Sequence, residues 1–158
     1  MGTKTYLTID QVRQRLMRYC DKAERCQQDV LQQGMKWGLT FVESREMLSV
    51  LITNGFVSEQ RYASAFVHDK FTFNSWGARK IELALRQKGV SEPNIRAALM
   101  QIPQEDEHAA IVGLIKKKEP QLRGLQLYQK KSKLYRYLMS KGFVASSIER
   151  ALAEYFIG

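Results

Sequence analysis

The sequence predicts an all-α chain of three tandem three-helix repeats. Three observations carry that prediction. Apolar residues recur at helical rather than alternating spacing along nearly all of the 158 residues. Gly38, Gly89 and Gly142, at intervals of 51 and 53 residues, each stop one helical pattern just before the next begins. Helix starts near Asp10, Ser58 and Glu105 repeat at intervals of 48 and 47 residues. One helical unit used three times exposes a long surface rather than a single pocket, which suits holding a polymer. The predicted units are residues 8–56, 57–103 and 104–158.

In the first unit, Asp10 is expected to cap a helix through about Cys20, with Val12, Leu16 and Tyr19 at i, i+4 and i+7. A second helix runs from about Cys26 to Lys36. Thr40 caps a third, which stops at Asn54-Gly55. In the second unit, Ser58 caps a helix through about Thr72 with Tyr62, Phe66 and Val67 inward. The alternation in Phe71-Thr72-Phe73 is too short for a strand. Asn74 to Gly77 reads as a turn, and Ala78 to Lys88 as a short helix closed by Gly89. Ser91, as a cap, and Pro93, early in the helix, open the next one, which ends near Ile102-Pro103. In the third unit, the helix from Glu105 to Lys118 has acids first and lysines last, as the helix dipole favours. Leu125 to Lys141 and Ala145 to Phe156 follow, on either side of Gly142. The second and third units match best. Counted from their glycines, aliphatic residues occupy the same four places: Ile81, Leu85, Ile95 and Leu99, then Leu134, Leu138, Ile148 and Leu152. In the first unit, Gly34 takes the place of Leu85 and Leu138.

Apolar residues make up 44% of the chain, enough for a packed core and too many for a disordered tail. The formal charge is +9. From His108 to Lys141 there are nine cations and one acid, Glu119, so the excess is concentrated. Such a balance favours polyanion partners or an acidic protein groove. Cys20 and Cys26 are six residues apart and the histidines, His68 and His108, are distant, so no zinc spacing exists and reduced thiols in a cytoplasmic protein are expected. No signal peptide and no membrane-length apolar run is read, and the Met1-Gly2 start has Tyr6 where a myristoylation site wants Ser or Thr. No Gly-rich phosphate loop, HExxH pattern or nucleophile elbow occurs. Carboxylates such as Asp10, Glu43, Glu59, Glu92 and Glu105 stand in first turns, where capping and the dipole explain them. His68 reads as a surface or structural histidine. The expectation is a non-enzymatic protein with no catalytic residue, metal, cofactor or small-molecule substrate.

A candidate contact surface comes from the helix wheels. On Ala78–Lys88, Ala78, Ile81, Ala84 and Leu85 share one face while Arg79, Leu83 and Arg86 lie opposite. In the last third, Leu127, Leu134 and Leu138 are expected inward, Lys133 and Arg136 outward beside Met139, and Lys130 and Lys131 at the edge of the core. Lys116 to Lys118 and the interleaved Tyr128, Tyr135 and Tyr137 flank them. Arg61 stands in a first helical turn, where a cation is unfavourable, so a partner must offset it; Glu59 or a neighbouring unit's carboxylate is the simplest. The candidate surface is therefore Arg61, Arg79, Arg86, Lys88, Lys130, Lys133, Arg136 and Lys141.

Four segments in order carry a resemblance. They are Val57 to Val67 with its Arg61-Tyr62-Ala63, Trp76-Gly77-Ala78-Arg79-Lys80-Ile81, Leu85-Arg86-Gln87-Lys88-Gly89-Val90, and Leu138-Met139-Ser140-Lys141-Gly142-Phe143 with Ile148 and Leu152. Together they resemble the RecX family of recombination regulators over roughly Asp10 to Tyr155. The resemblance implies three three-helix repeats in an elongated, curved arrangement. It implies a cytoplasmic protein that lodges in the groove of the RecA–DNA filament and restrains its ATPase, strand-exchange and co-protease activities in DNA repair and the SOS response, with direct contact to single- or double-stranded DNA. The alternative class is a DNA-binding helical-repeat protein acting without RecA. The chain departs from the family pattern at Ser58-Glu59, where two acids are usual, and at Gly77-Ala78, where Gly-Pro is usual. Arg25-Cys26-Gln27-Gln28-Asp29-Val30 only echoes the family's first unit.

Overall fold

Local side-chain caps set many of the helix boundaries. The computed structural model describes residues 6–157, so the Met1-Gly2 start lies outside the described residues. Thr8, rather than Asp10, caps the first helix: its hydroxyl accepts from Gln11 N–H while the Gln11 side chain accepts from Thr8 N–H. Helix α1 therefore spans Ile9–Lys22, and Asp10 sits in its first turn, bonded to Arg13. Helix α2 (Gln27–Lys36) is capped by a thiol, Cys26 Sγ accepting from Asp29 N–H at 3.3 Å. Helix α3 (Phe41–Thr53) starts with a full capping box between Thr40 and Glu43.

Helix α4 (Glu59–Asn74) is capped by Ser58 and runs two residues beyond its expected end, taking in the Phe71–Phe73 segment. Ser75 in the left-handed region then turns the chain. Helices α5 (Ala78–Gln87) and α6 (Glu92–Leu99) follow. Ser91 makes no side-chain cap; its hydroxyl donates instead to Glu59 Oε2 at 2.8 Å. Helix α7 (Gln104–Lys118) leads into a 3₁₀ turn (Glu119–Leu122), which sequence patterning does not anticipate. Helices α8 (Leu127–Ser140) and α9 (Ala145–Tyr155) complete the chain. The glycines of the period share one role: Gly38, Gly89 and Gly142 all have positive φ just past α2, α5 and α8.

Each trio of helices encloses its own core. The first buries Val12, Leu16, Val30, Met47 and Leu51. The second buries Tyr62, Val67, Ile81, Leu85 and Ile95. The third buries Ile111, Ile115, Leu134, Leu138, Phe143 and Ile148. Helices pack extensively within a trio and only slightly between trios. The chain exposes 10327 Å², against about 8,100 Å² for a compact monomer of this mass. An elongated row of small cores accounts for that excess.

Two joints connect the row, and they are built alike: the start of one middle helix meets the end of the next. At the first joint Cys26, the cap of α2, is buried in the second trio's core with Tyr62, and Lys88 at the end of α5 bonds to Asp29 of α2. At the second, Gly77 at the start of α5 meets Gly142 after α8. Gly77 N–H donates to Lys141 O at 2.7 Å and Arg79 N–H to Gly142 O at 3.0 Å. A methyl group on Gly77 would overlap the Gly142–Phe143 backbone, so glycine is required there for close approach.

Candidate functional site

The eight candidate residues divide by what they touch. Arg61, exposed at the first joint, donates through Nε to Glu24 Oε1 at 2.9 Å and through Nη2 to Gly55 O at 2.7 Å. A carboxylate of the neighbouring trio thus offsets its place in the first turn. Lys88 pairs with Asp29 at 3.3 Å. Arg86 forks between Glu82 Oε1 at 2.6 Å and Glu92 Oε1 at 2.5 Å, and its guanidinium holds the Glu92 carboxyl below the usual range. Lys130 Nζ lies 4.0 Å from Glu119, whose other oxygen accepts from the Tyr155 hydroxyl. Lys141 donates to the Asn74 carbonyl at 2.9 Å. Five of the eight therefore have intramolecular partners.

Arg79, Lys133 and Arg136 do not. All three are exposed, and among the described residues none forms an ion pair. The same holds for Lys116, Lys117 and Arg123 in the third trio. Lys118 lies over the Tyr137 ring at 5.0 Å and Lys131 over Phe156 at 5.9 Å, so aromatic faces rather than carboxylates hold them. Leu83 is 56% exposed between Arg79 and Arg86, as the wheel predicts. Leu127 is not inward as expected. It is the first residue of α8 and 50% exposed, while Leu122 of the 3₁₀ turn is buried in the third trio's core.

The candidate contact surface read from the sequence leaves out Lys70, Lys80 and Trp76. Their signal is present in retrospect as two lysines bracketing an aromatic, but their convergence depends on the turn at Ser75. Lys70 Nζ lies 4.9 Å and Lys80 Nζ 4.6 Å from the Trp76 ring centroid. Of the remaining candidates, His68 is exposed beside Asp69, and His108 Nε2 lies 3.0 Å from Glu154 at the edge of a hollow of about 300 Å³. Cys20 and Cys26 are buried, and burial pushes both thiols' pKa up. Among the described residues no group of His, Cys, Asp and Glu could hold a metal ion, and no helix is long and apolar enough to cross a membrane.

Residues 58–99 match the family model for the second three-helix domain of RecX, and residues 105–152 that for the third. A "Regulatory protein RecX" of Clostridium botulinum is 37% identical over 101 residues, 63% of this chain and 47% of the relative. Another of that name from Lactococcus lactis is 32% identical over 109 residues, 68% of this chain and 40% of the relative. The chain thus spans about half the length of the curated relatives it matches. The crystal structure of RecX from Lactobacillus salivarius superposes with a TM-score of 0.85 at 20% identity, covering 92% of this chain and 95% of that one. A further crystal structure of regulatory protein RecX gives a TM-score of 0.79 at 20% identity, covering 96% of this chain and 80% of that one. These two share the fold. With two consecutive domain models matched in register to the second and third trios, the chain belongs to the RecX family.

Proposed function

We propose that this chain is a cytoplasmic, non-enzymatic regulator of the RecA recombinase, made of domains at residues 8–56, 57–103 and 104–158, that binds along the groove of the RecA–DNA filament. The observation that carries the reading is the set of cations without carboxylate partners, Arg79, Lys133 and Arg136 with Lys116, Lys117 and Arg123. They lie in the two trios that match the family models. A filament groove is long, acidic and contains DNA. An elongated row of helices with uncompensated positive charge is complementary to it in both shape and sign. The cations already engaged, Arg61, Arg86 and Lys88, serve the chain's own joints and helices, and so contribute least to such a contact.

The test is a titration of this chain into RecA hydrolysing ATP on single-stranded DNA. Inhibition at substoichiometric ratios, weakening as salt rises, is the expected result. Undiminished ATP hydrolysis up to stoichiometric amounts would contradict the reading. Tight, salt-steep binding to naked DNA with no effect on RecA would favour the class of DNA-binding protein that acts alone.

A further inference from the structure

The two joints use equivalent places in the repeat and fill them with opposite charge. Lys88 and Lys141 each stand immediately before the periodic glycine. Asp29 and Lys80 each stand three residues past the cap of a middle helix, Cys26 and Gly77. At the first joint these places form an ion pair, Lys88 to Asp29. At the second they hold two lysines, Lys141 and Lys80.

The second pair is forced together. A methyl group on Gly142 would overlap Lys80 Cβ, so the two chain segments are in direct contact with no space between them. Lys141 turns to a neutral acceptor, the Asn74 carbonyl. Burial and then the charge of Lys80 push its pKa down. Lys80 in turn lies over the Trp76 ring, as does Lys70. A ring face fixes an ammonium in place without cancelling its charge. Among the described residues Lys70, Lys80 and Lys141 form no ion pair. The first turn of α5 holds Arg79 and Lys80 and no acid, the reverse of what the helix dipole favours. Such an arrangement costs stability in the free chain, and an anion supplied from outside relieves it.

We propose that the joint between the second and third trios is a binding site for the phosphates of a nucleic-acid backbone, with Lys70, Lys80 and Lys141 as its cations and Trp76 as the platform that holds two of them. It rests on the reading that this chain works on a DNA-containing filament, and deepens it by placing one DNA contact. Ammonium groups are compact point charges that can converge on the several oxygens of a phosphate. Arginine's planar fork suits carboxylate and phosphate alike, whereas lysine binds phosphate as a point charge, and a nucleic-acid backbone offers the several phosphates that three ammonium groups can meet.

Lys80→Asp tests the site, because it recreates the acid–lysine pair of the first joint. The variant is compared with the unaltered chain in binding a labelled single-stranded oligonucleotide over a range of salt. The expected result is a higher melting temperature together with affinity weakened about tenfold, and a loss of about 0.7 from the slope of log affinity against log salt. Lys70→Gln, which leaves the backbone bonds from Gly77 to Lys141 and from Arg79 to Gly142 in place, is expected to lower the slope similarly. In a Trp37→Phe background, Trp76 emission is expected to change on adding the oligonucleotide. Unchanged affinity and slope in both variants would overturn the proposal, as would displacement of the oligonucleotide by polyglutamate at equal charge concentration. If the variants lose oligonucleotide binding while the unaltered chain leaves RecA untouched, the site stands and the RecA reading fails. If RecA is inhibited but the variants bind DNA unchanged, the reverse holds.

Discussion

At the fourth residue before its periodic glycine, the third trio has Leu138 and the first has Gly34. Leu138 is fully buried among Ile111, Ile115, Leu134 and Phe143. Gly34 is also buried, but against a different neighbour: a methyl group there would meet Ser44 Oγ at 2.6 Å, and that hydroxyl donates to Leu31 O at 2.7 Å. The third trio separates its helices with large side chains. The first lets α2 and α3 approach until a serine bonds across them. The first also invests in its ends, with capping boxes at Thr8 and Thr40 and a thiol cap at Cys26. In the third, Pro103 and Val144 precede α7 and α9 and supply no side-chain cap, and only α8 has an end contact, Gln126 N–H donating to Gln129 Oε1 at 3.1 Å. One helix order is thus held together by core volume in one place, and by close packing and capping in the other.

Four substitutions sharpen this contrast, each read by denaturant or thermal unfolding. Leu138→Ala should cost the most, about 2–5 kcal/mol, because it opens a cavity in a core with no polar contact to fall back on. Gly77→Ala comes next, about 1–3 kcal/mol, as the second joint must open to admit a methyl group against backbone. Thr40→Ala should cost about 1 kcal/mol through loss of the α3 cap. Glu43, the other half of that capping box, has its pKa lowered by the Thr40 N–H. Its contribution is therefore present above the ordinary carboxylate pKa and fades as pH falls through the lowered value. Asp29→Ala should cost least, under about 1 kcal/mol, since Lys88 at the first joint is partly solvated. Equal losses at Leu138 and Asp29 would break the contrast.

The sequence made one kind of information legible and hid another. Helix order, the glycine period and the inward Tyr62, Ile81, Leu85, Leu134 and Leu138 follow from spacing within single helices, and spacing is local. The caps were partly readable: Thr40 and Ser58 are found as expected, whereas Thr8 outcompetes Asp10 because Gln11 completes its box. Partners across the joints were not readable. Glu24 for Arg61, Asp29 for Lys88 and Asn74 for Lys141 lie 37, 59 and 67 residues away in the chain. They meet only because of the angles at which trios dock, and no periodicity encodes those angles. Leu127 is misplaced for a local reason: it opens α8, which the apolar pattern starts at Leu125, after a 3₁₀ turn that the pattern does not mark.

On the proposed reading, charge left over after the chain's own joints are satisfied is the charge that acts. The most direct test is the RecA ATPase assay on single-stranded DNA with two charge reversals compared, each first checked for an unchanged helical spectrum. The Lys133→Glu, Arg136→Glu double variant alters unpaired cations on α8. Arg86→Glu alters a cation already held by Glu82 and Glu92. Loss of inhibition in the double variant with inhibition retained by Arg86→Glu is the result predicted. Full inhibition by the double variant would contradict it.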